Sequence, residues 1–225
     1  VRVRRLLVAV ITVGLVAPTA AIVSTIGTPA AAAVATSIVP ASGDRPLIYT
    51  SSRPATYGDN LYANVDIVAA DGSSPYGGTT TVYQMLAGQS TWSTISTTSG
   101  AYVSLSGVKA RGNATYRISW TGSGEWTGAT ADVVVKVSRD VDTQSFSGRQ
   151  AGFKGKVSPK GKVKIVIQKK VGKKYKKFRT QKTDAKGRFT VTLPAPRRGK
   201  FFWKITFSGN KLYTKTVIKG STYPL

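Results

Sequence analysis

Tyr116-Arg-Ile-Ser-Trp-Thr-Gly-Ser123 and Trp203-Lys-Ile-Thr-Phe-Ser-Gly-Asn210 stand 87 residues apart and align without a gap. Each alternates large apolar and polar side chains, so Tyr116, Ile118 and Trp120 share one face, as do Trp203, Ile205 and Phe207. Arg117, Ser119, Lys204 and Thr206 point the other way. A period of two marks strands that are buried on one side only, and its recurrence at a fixed interval marks a tandem repeat.

Upstream of each copy lies a second match, Val82-Tyr-Gln and Val166-Ile-Gln, followed by a Gly-containing turn and then an aromatic at Trp92 or Tyr175. Further strands are predicted over 47–50, 61–69, 79–86, 92–97, 101–105, 115–120 and 130–137. The second copy offers 144–147, 153–157, 162–169, 175–180, 188–193, 201–207 and 212–218. Turn residues such as Ser158-Pro159, Asp184 to Gly187 and Ser208-Gly209-Asn210 separate them. About seven short strands per hundred residues predict an all-β fold of two tandem antiparallel β-sandwiches.

The amino terminus reads differently. Arg2, Arg4 and Arg5 precede an uncharged apolar run from Leu6 to Val16, then Pro18 and the small residues Ala30 to Ala33. This order is that of a secretory signal helix, with an Ala-x-Ala site before Val34 or Thr36. The expected organisation is a signal peptide over 1–35, a first sandwich over 36–138 and a second over 139–225. The apolar character continues with interruptions to Ile26, which leaves an uncleaved anchor as the second reading. No other stretch is apolar enough to span a membrane, so the mature chain is expected to have no transmembrane helix and to be secreted or cell-surface associated.

The 225 residues contain no Cys and no His. Thiolate chemistry and disulfide staples are therefore excluded, and the usual general base at neutral pH and commonest metal ligand is missing. No segment arranges Ser, Lys or paired carboxylates in a recognisable catalytic motif, so no enzyme activity, cofactor or metal is expected. Asp140 and Asp142 at the junction are too few for a calcium site. Asn113-Ala-Thr115 matches a glycosylation acceptor, which in a bacterial-looking chain reads as chance.

The net charge of +24 is unevenly spread. Residues 34–138 balance Arg45, Arg53, Lys109, Arg111, Arg117 and Lys136 against Asp44, Asp59, Asp66, Asp71, Glu125 and Asp132. Beyond Ser138, 24 bases face only Asp140, Asp142 and Asp184. If the predicted third and sixth strands of the second sandwich are neighbours, Lys162 and Lys164 lie beside Lys200 and Lys204 on the outward face. Lys169, Lys170, Lys173, Lys174, Lys176, Lys177 and Arg179 extend that field along the next hairpin. Like charges side by side oppose folding, so the arrangement points to polyanion binding by many weak contacts. The candidate partners are anionic cell-wall polymers and lipid headgroups. Released nucleic acid is a further polyanion, but no reading element for it is visible. The competing reading is a solubility device, which predicts lysines on both copies.

Among the tryptophans, alternation places Trp120 and Trp203 in the cores. Trp126 is the better candidate for an exposed ring, although packing on its own sandwich is the stronger expectation.

Asn113-Ala-Thr-Tyr-Arg-Ile-Ser-Trp-Thr-Gly122, with Asp71-Gly72 and Ala129 to Val137, resembles the bacterial immunoglobulin-like repeats of secreted surface proteins. Gly155-Lys-Val-Ser-Pro159 and Thr183-Asp-Ala-Lys-Gly-Arg-Phe189 resemble the Lys-rich sandwich modules of exported actinobacterial proteins. The latter run also resembles transthyretin-like sandwiches. These resemblances imply spacer, adhesive or wall-binding roles and bring no catalytic residues.

Overall fold

The computed structural model describes residues 32–147, 150–194 and 196–223, and the expected signal helix lies outside them. Among the described residues every regular element is a strand, and no helix is long and apolar enough to cross a membrane.

The amino-terminal half contributes β1 (Thr36–Val39), β2 (Ile48–Thr50), β3 (Ala55–Thr56), β4 (Leu61–Ala63), β5 (Asp66–Ala69), β6 (Thr79–Leu86), β7 (Ser93–Ser99), β8 (Ala114–Trp120), β9 (Ala129–Val135) and β10 (Val137–Ser138). A four-stranded antiparallel sheet runs β7-β6-β8-β9. Opposite it lie the short pairs β1-β5 and β2-β4, with β3 running parallel to β10. Ile48, Leu61, Val82, Tyr116 and Ile118 fill the space between, all buried. A satellite cluster of Ile67, Ala69, Trp120 and Trp126 closes one end.

The carboxy-terminal half repeats the plan with β11 (Asp140–Phe146), β12 (Ala151–Ser158), β13 (Lys164–Val171), β14 (Lys174–Lys182), β15 (Arg188–Leu193), β16 (Phe201–Phe207) and β17 (Thr216–Thr222). Its sheets are β11-β12-β15 and β14-β13-β16-β17. They share one core of Val157, Ile165, Ile167, Phe189, Val191, Trp203, Ile205 and Phe207. Edge-on pairs, Phe189 with Phe207 and Phe153 with Trp203, both at 5.0 Å between ring centroids, cross from one layer to the other. The third and sixth strands are neighbours as expected. The fourth, β14, lies beside β13 rather than joining the three-stranded sheet, which differs from the constant-type immunoglobulin arrangement.

The two four-stranded sheets match in detail. In both, the edge strand carries a β-bulge in its pairing with the second strand, with Ile95 the extra residue opposite Val82/Tyr83 in one and Phe178 opposite Ile167/Gln168 in the other. This corrects the alignment of Val82-Tyr-Gln with Val166-Ile-Gln. Val82 lies opposite Ile118, and the residue opposite Ile205 is Ile167, so the true correspondence is shifted by one. A one-residue shift exchanges the faces: Val82 is buried whereas Val166 is only half-buried on the outer side.

Other expectations also change. The segment 101–105 is not a strand; Leu105 is buried there, but the chain forms no ladder. The run 61–69 is interrupted at Asn64, whose buried amide donates to the carbonyls of Ser42 and Arg45 and so turns the chain between β4 and β5. Within 212–218 Thr214 makes only an isolated parallel bridge to Ser138 and the strand begins at Thr216, and β11 starts at Asp140, four residues before the predicted strand. Trp126 is 6% exposed and donates its indole N–H to Ser73 Oγ, so it packs on its own half.

Candidate functional site

Directly opposed residues of an antiparallel pair share a face, so the register of the second four-stranded sheet sorts its lysines. Lys182 opposes Lys164, Lys177 opposes Gln168, and Tyr175 opposes Lys170. Gln168 opposes Lys204, which in turn opposes Lys219. All of these alternate with the buried Ile165, Ile167, Trp203 and Ile205, so Lys164, Lys170, Lys177, Lys182, Lys204 and Lys219 stand together on the outer face. None of the four strands contains an Asp or Glu.

Aromatic rings lie among them, Phe202 exposed and Tyr175 half-buried. Lys170 Nζ sits 5.3 Å from the Phe202 ring centroid and Lys204 Nζ 5.1 Å from that of Tyr175. Packing a lysine stem over a ring face holds its ammonium in place without neutralising it.

The outer face of the three-stranded sheet is different. Its bases are Lys154, Lys156 and Arg188, and acids accompany two of them. Asp142 opposes Lys156 across β11 and β12, and Asp184 accepts the Arg188 Nε–H at 2.9 Å. The Asp184 carboxyl is held below the usual range first by the Arg188 backbone N–H and then by its side chain. The outer face of β14-β13-β16-β17 thus carries six lysines and no acid, whereas that of β11-β12-β15 mixes both signs.

The same ladder position can be compared between halves. In the first, Arg117 opposes Asp132 and donates to it from Nε and Nη2, both at 2.8 Å, while its guanidinium stacks 4.6 Å from the Trp92 ring. This contact lowers the Asp132 pKa and raises that of Arg117. In the second half the positions 87 residues on are Lys204 and Lys219, with Tyr175 in place of Trp92. An ion pair in one copy is a like-charged pair in the other.

Of the residues singled out from the sequence, Lys164, Lys170, Lys177 and Lys204 belong to this face. Lys162 precedes β13 and is exposed beside it. Lys169 and Lys176 oppose each other on the reverse side, near the turn of the hairpin. Lys173 lies in the two-residue turn after Gly172, whose φ of 57° is what a II′ hairpin turn requires at its first central position, and Lys174 follows it. Arg179 crosses to the other layer, donating from Nη2 to the Thr192 carbonyl at 2.6 Å. Lys200 precedes β16, with its ammonium 5.1 Å from the Tyr223 ring centroid. The expected side-by-side placement of Lys162 and Lys164 with Lys200 and Lys204 is therefore replaced by Lys204 beside Lys219 and Lys164 beside Lys182. Lys182 and Lys219 escape sequence reasoning because the predicted strands end at 180 and 218.

A second feature is the contact between the halves. Asn113, 6% exposed, accepts the Val137 N–H at Oδ1 and donates from Nδ2 to the Lys211 carbonyl, both at 2.8 Å. The buried Tyr213 donates its hydroxyl to the Arg111 carbonyl at 2.9 Å and meets Tyr57 edge-on. Arg139 covers the Tyr213 ring at 4.3 Å and donates to the Pro159 carbonyl. Burial lowers the Arg139 pKa and raises that of Tyr213. In sequence Asn113 stands out as a chance glycosylation match and as the head of the immunoglobulin-like run; its structural use depends on a partner about a hundred residues away. Asp140 and Asp142 gather no third acidic ligand, and no group of three or more metal-ligating side chains occurs among the described residues.

No family model matches the chain, and no curated protein matches it. A solved structure described as the tetra-tandem repeat in the extending region of a large adhesion protein is similar over 84% of this chain, at 12% identity and a TM-score of 0.31. The match covers 49% of that protein, so the chain spans about half its length.

Proposed function

We propose that this is a non-catalytic exported protein of two immunoglobulin-like domains, divided at Ser138/Arg139, whose second domain binds phosphate-bearing polymers of the cell envelope through the outer face of β14-β13-β16-β17. The observation that carries this reading is the replacement of the Arg117–Asp132 ion pair by Lys204 and Lys219 at equivalent positions. A surface selected only for folding or solubility gains nothing from that exchange, because opposed like charges destabilise a sheet. A polyanion supplies the missing counter-charge.

The test is retention of the mature chain on purified walls bearing teichoic acid and on the same walls stripped of it, over a range of salt. Charge neutralisation predicts retention at low salt, steep release as salt rises, and loss on stripped walls. Equal retention on stripped walls overturns the choice of polymer, and retention at high salt overturns the electrostatic mechanism. Anionic vesicles and single-stranded DNA, run in parallel, show whether lipid headgroups or nucleic acid compete for the same face.

The joint supports a second reading, a surface spacer or adhesin module. Asn113, Tyr213 and Arg139 fix one half against the other, as a stiff spacer requires. No retention on any polyanion at any salt leaves this reading standing alone.

A further inference from the structure

The neutral first half carries an aromatic feature that neither the cationic face nor the joint uses. Tyr49 on β2 and Tyr62 on β4 are directly opposed in register, each alternating with core residues: Ile48 and Thr50 on one strand, Leu61 on the other. Their rings stack at 5.5 Å with planes 27° apart, and the Arg45 guanidinium lies 5.1 Å from the Tyr49 ring and donates to its hydroxyl. Tyr62 remains 41% exposed.

Two clefts flank this stack. One, of about 390 Å³, is lined by Tyr49, Tyr62, Asn60, Ser104 and Ser106; the other, of about 480 Å³, by Tyr49, Asp44, Arg45, Thr50 and Arg53. Each places hydroxyl, amide or charged side chains around tyrosine ring surface.

We propose that the Tyr49–Tyr62 stack is a saccharide platform for a gluco-configured pyranose chain. With every substituent equatorial, such a sugar presents only axial C–H groups on its flat faces, and these complement the negative face of an aromatic ring. Its hydroxyls radiate from the rim, where Asn60, Ser104 and Ser106 offer donors and acceptors. An apolar floor with a few convergent polar groups is the usual composition of a small-molecule site. The balanced charge of residues 34–138 fits a neutral ligand rather than the polyanion proposed for the other half. The assignment is independent of that reading.

The test uses the mature chain, with chitotetraose and cellotetraose as probes, followed by amide chemical shifts at 0.5 M NaCl so that charge-driven binding is suppressed. The expected result is saturable shifts confined to β2, β4 and the 103–107 loop. Tyr62→Ala lowers the affinity about tenfold, and Tyr62→Phe retains it. Ser106→Ala, which leaves the stack intact, weakens binding less. Should neither sugar move these resonances, or should Tyr62→Ala bind as well as the parent chain while keeping its fold, the platform is refuted, whatever the outcome for the cationic face.

Discussion

Lys219→Asp recreates in the second half the opposed pair that Arg117 and Asp132 make in the first. The introduced carboxylate faces Lys204 across β16 and β17, where the register places the two side chains directly opposite on one outer face. Opposite charges so placed stabilise a sheet by about 0.2–1 kcal/mol, and relief of the like-charge contact adds a similar amount. The expected net gain is about 1 kcal/mol, or about 3 °C in Tm for a chain of this size. Binding moves the other way, because both Lys204 and Lys219 are withdrawn from phosphate. With six lysines on the face, single-strand-like neutralisation gives a slope of log K against log salt of about −4, and removal of two contacts brings it to about −3. Lys154→Asp is the control, since it makes the same change in net charge on the outer face of the three-stranded sheet, opposite Gln144 and Thr190. Thermal melting and wall retention across salt measure both quantities. If Lys154→Asp weakens retention as much as Lys219→Asp, net charge rather than the face is responsible; if Lys219→Asp lowers Tm, the comparison of the two ladder positions is wrong.

Three further outcomes are expected. Asn113→Ala leaves the Val137 N–H and the Lys211 carbonyl without their partners, costing about 1–3 kcal/mol; chemical denaturation measures this, and small-angle scattering reports the loosened joint. Gly220→Ala would bring a Cβ to 2.5 Å from Trp203 Cζ2, and such overpacking costs about 1–3 kcal/mol; an unchanged denaturation midpoint would show that the indole gives way. Asp132 and Asp184 both have folded-state pKa values below the ordinary carboxylate value of about 3.9, so their contribution is complete above that pH and is lost as pH falls through the depressed values. Acid titration of stability should therefore be flat near neutrality and fall below about pH 4, with a smaller fall in Asp184→Asn.

How much of this is legible from the residues can be argued strand by strand. Tyr116 to Trp120 and Trp203 to Phe207 alternate cleanly because each lies in the middle of its sheet, with one face on the core, and period two alone places them. The 101–105 segment has the composition of a strand, but Leu105 is buried there without a ladder partner while Tyr102 is exposed, which depends on distant packing. The bulges at Ile95, opposite Val82/Tyr83, and at Phe178, opposite Ile167/Gln168, each insert one residue, and no local pattern announces that. The cationic face is half legible. Lys164, Lys177 and Lys204 follow from period two within a strand, whereas Lys170, Lys182 and Lys219 require knowing how far β13, β14 and β17 extend, and their apolar alternation fades before their hydrogen bonding does. The glycine opposite Trp203 and the Asn113 contact are tertiary facts without a sequence signature.

The nine-residue strand β14 closes one margin of its sheet and leaves a row of backbone donors and acceptors facing water. Rows of that kind ordinarily recruit a second molecule into continuous ladders and, eventually, fibrils. Here Lys174, Lys176, Lys177, Arg179 and Lys182 make an approaching copy repel before its backbone comes within reach. The safeguard is only as long-ranged as the ionic atmosphere permits, about 10 Å at 0.1 M salt and about 3 Å at 1 M. Concentrated stocks should consequently stay dispersed in dilute buffer and self-associate in brine, the reverse of the habit of salting a cationic protein to keep it in solution.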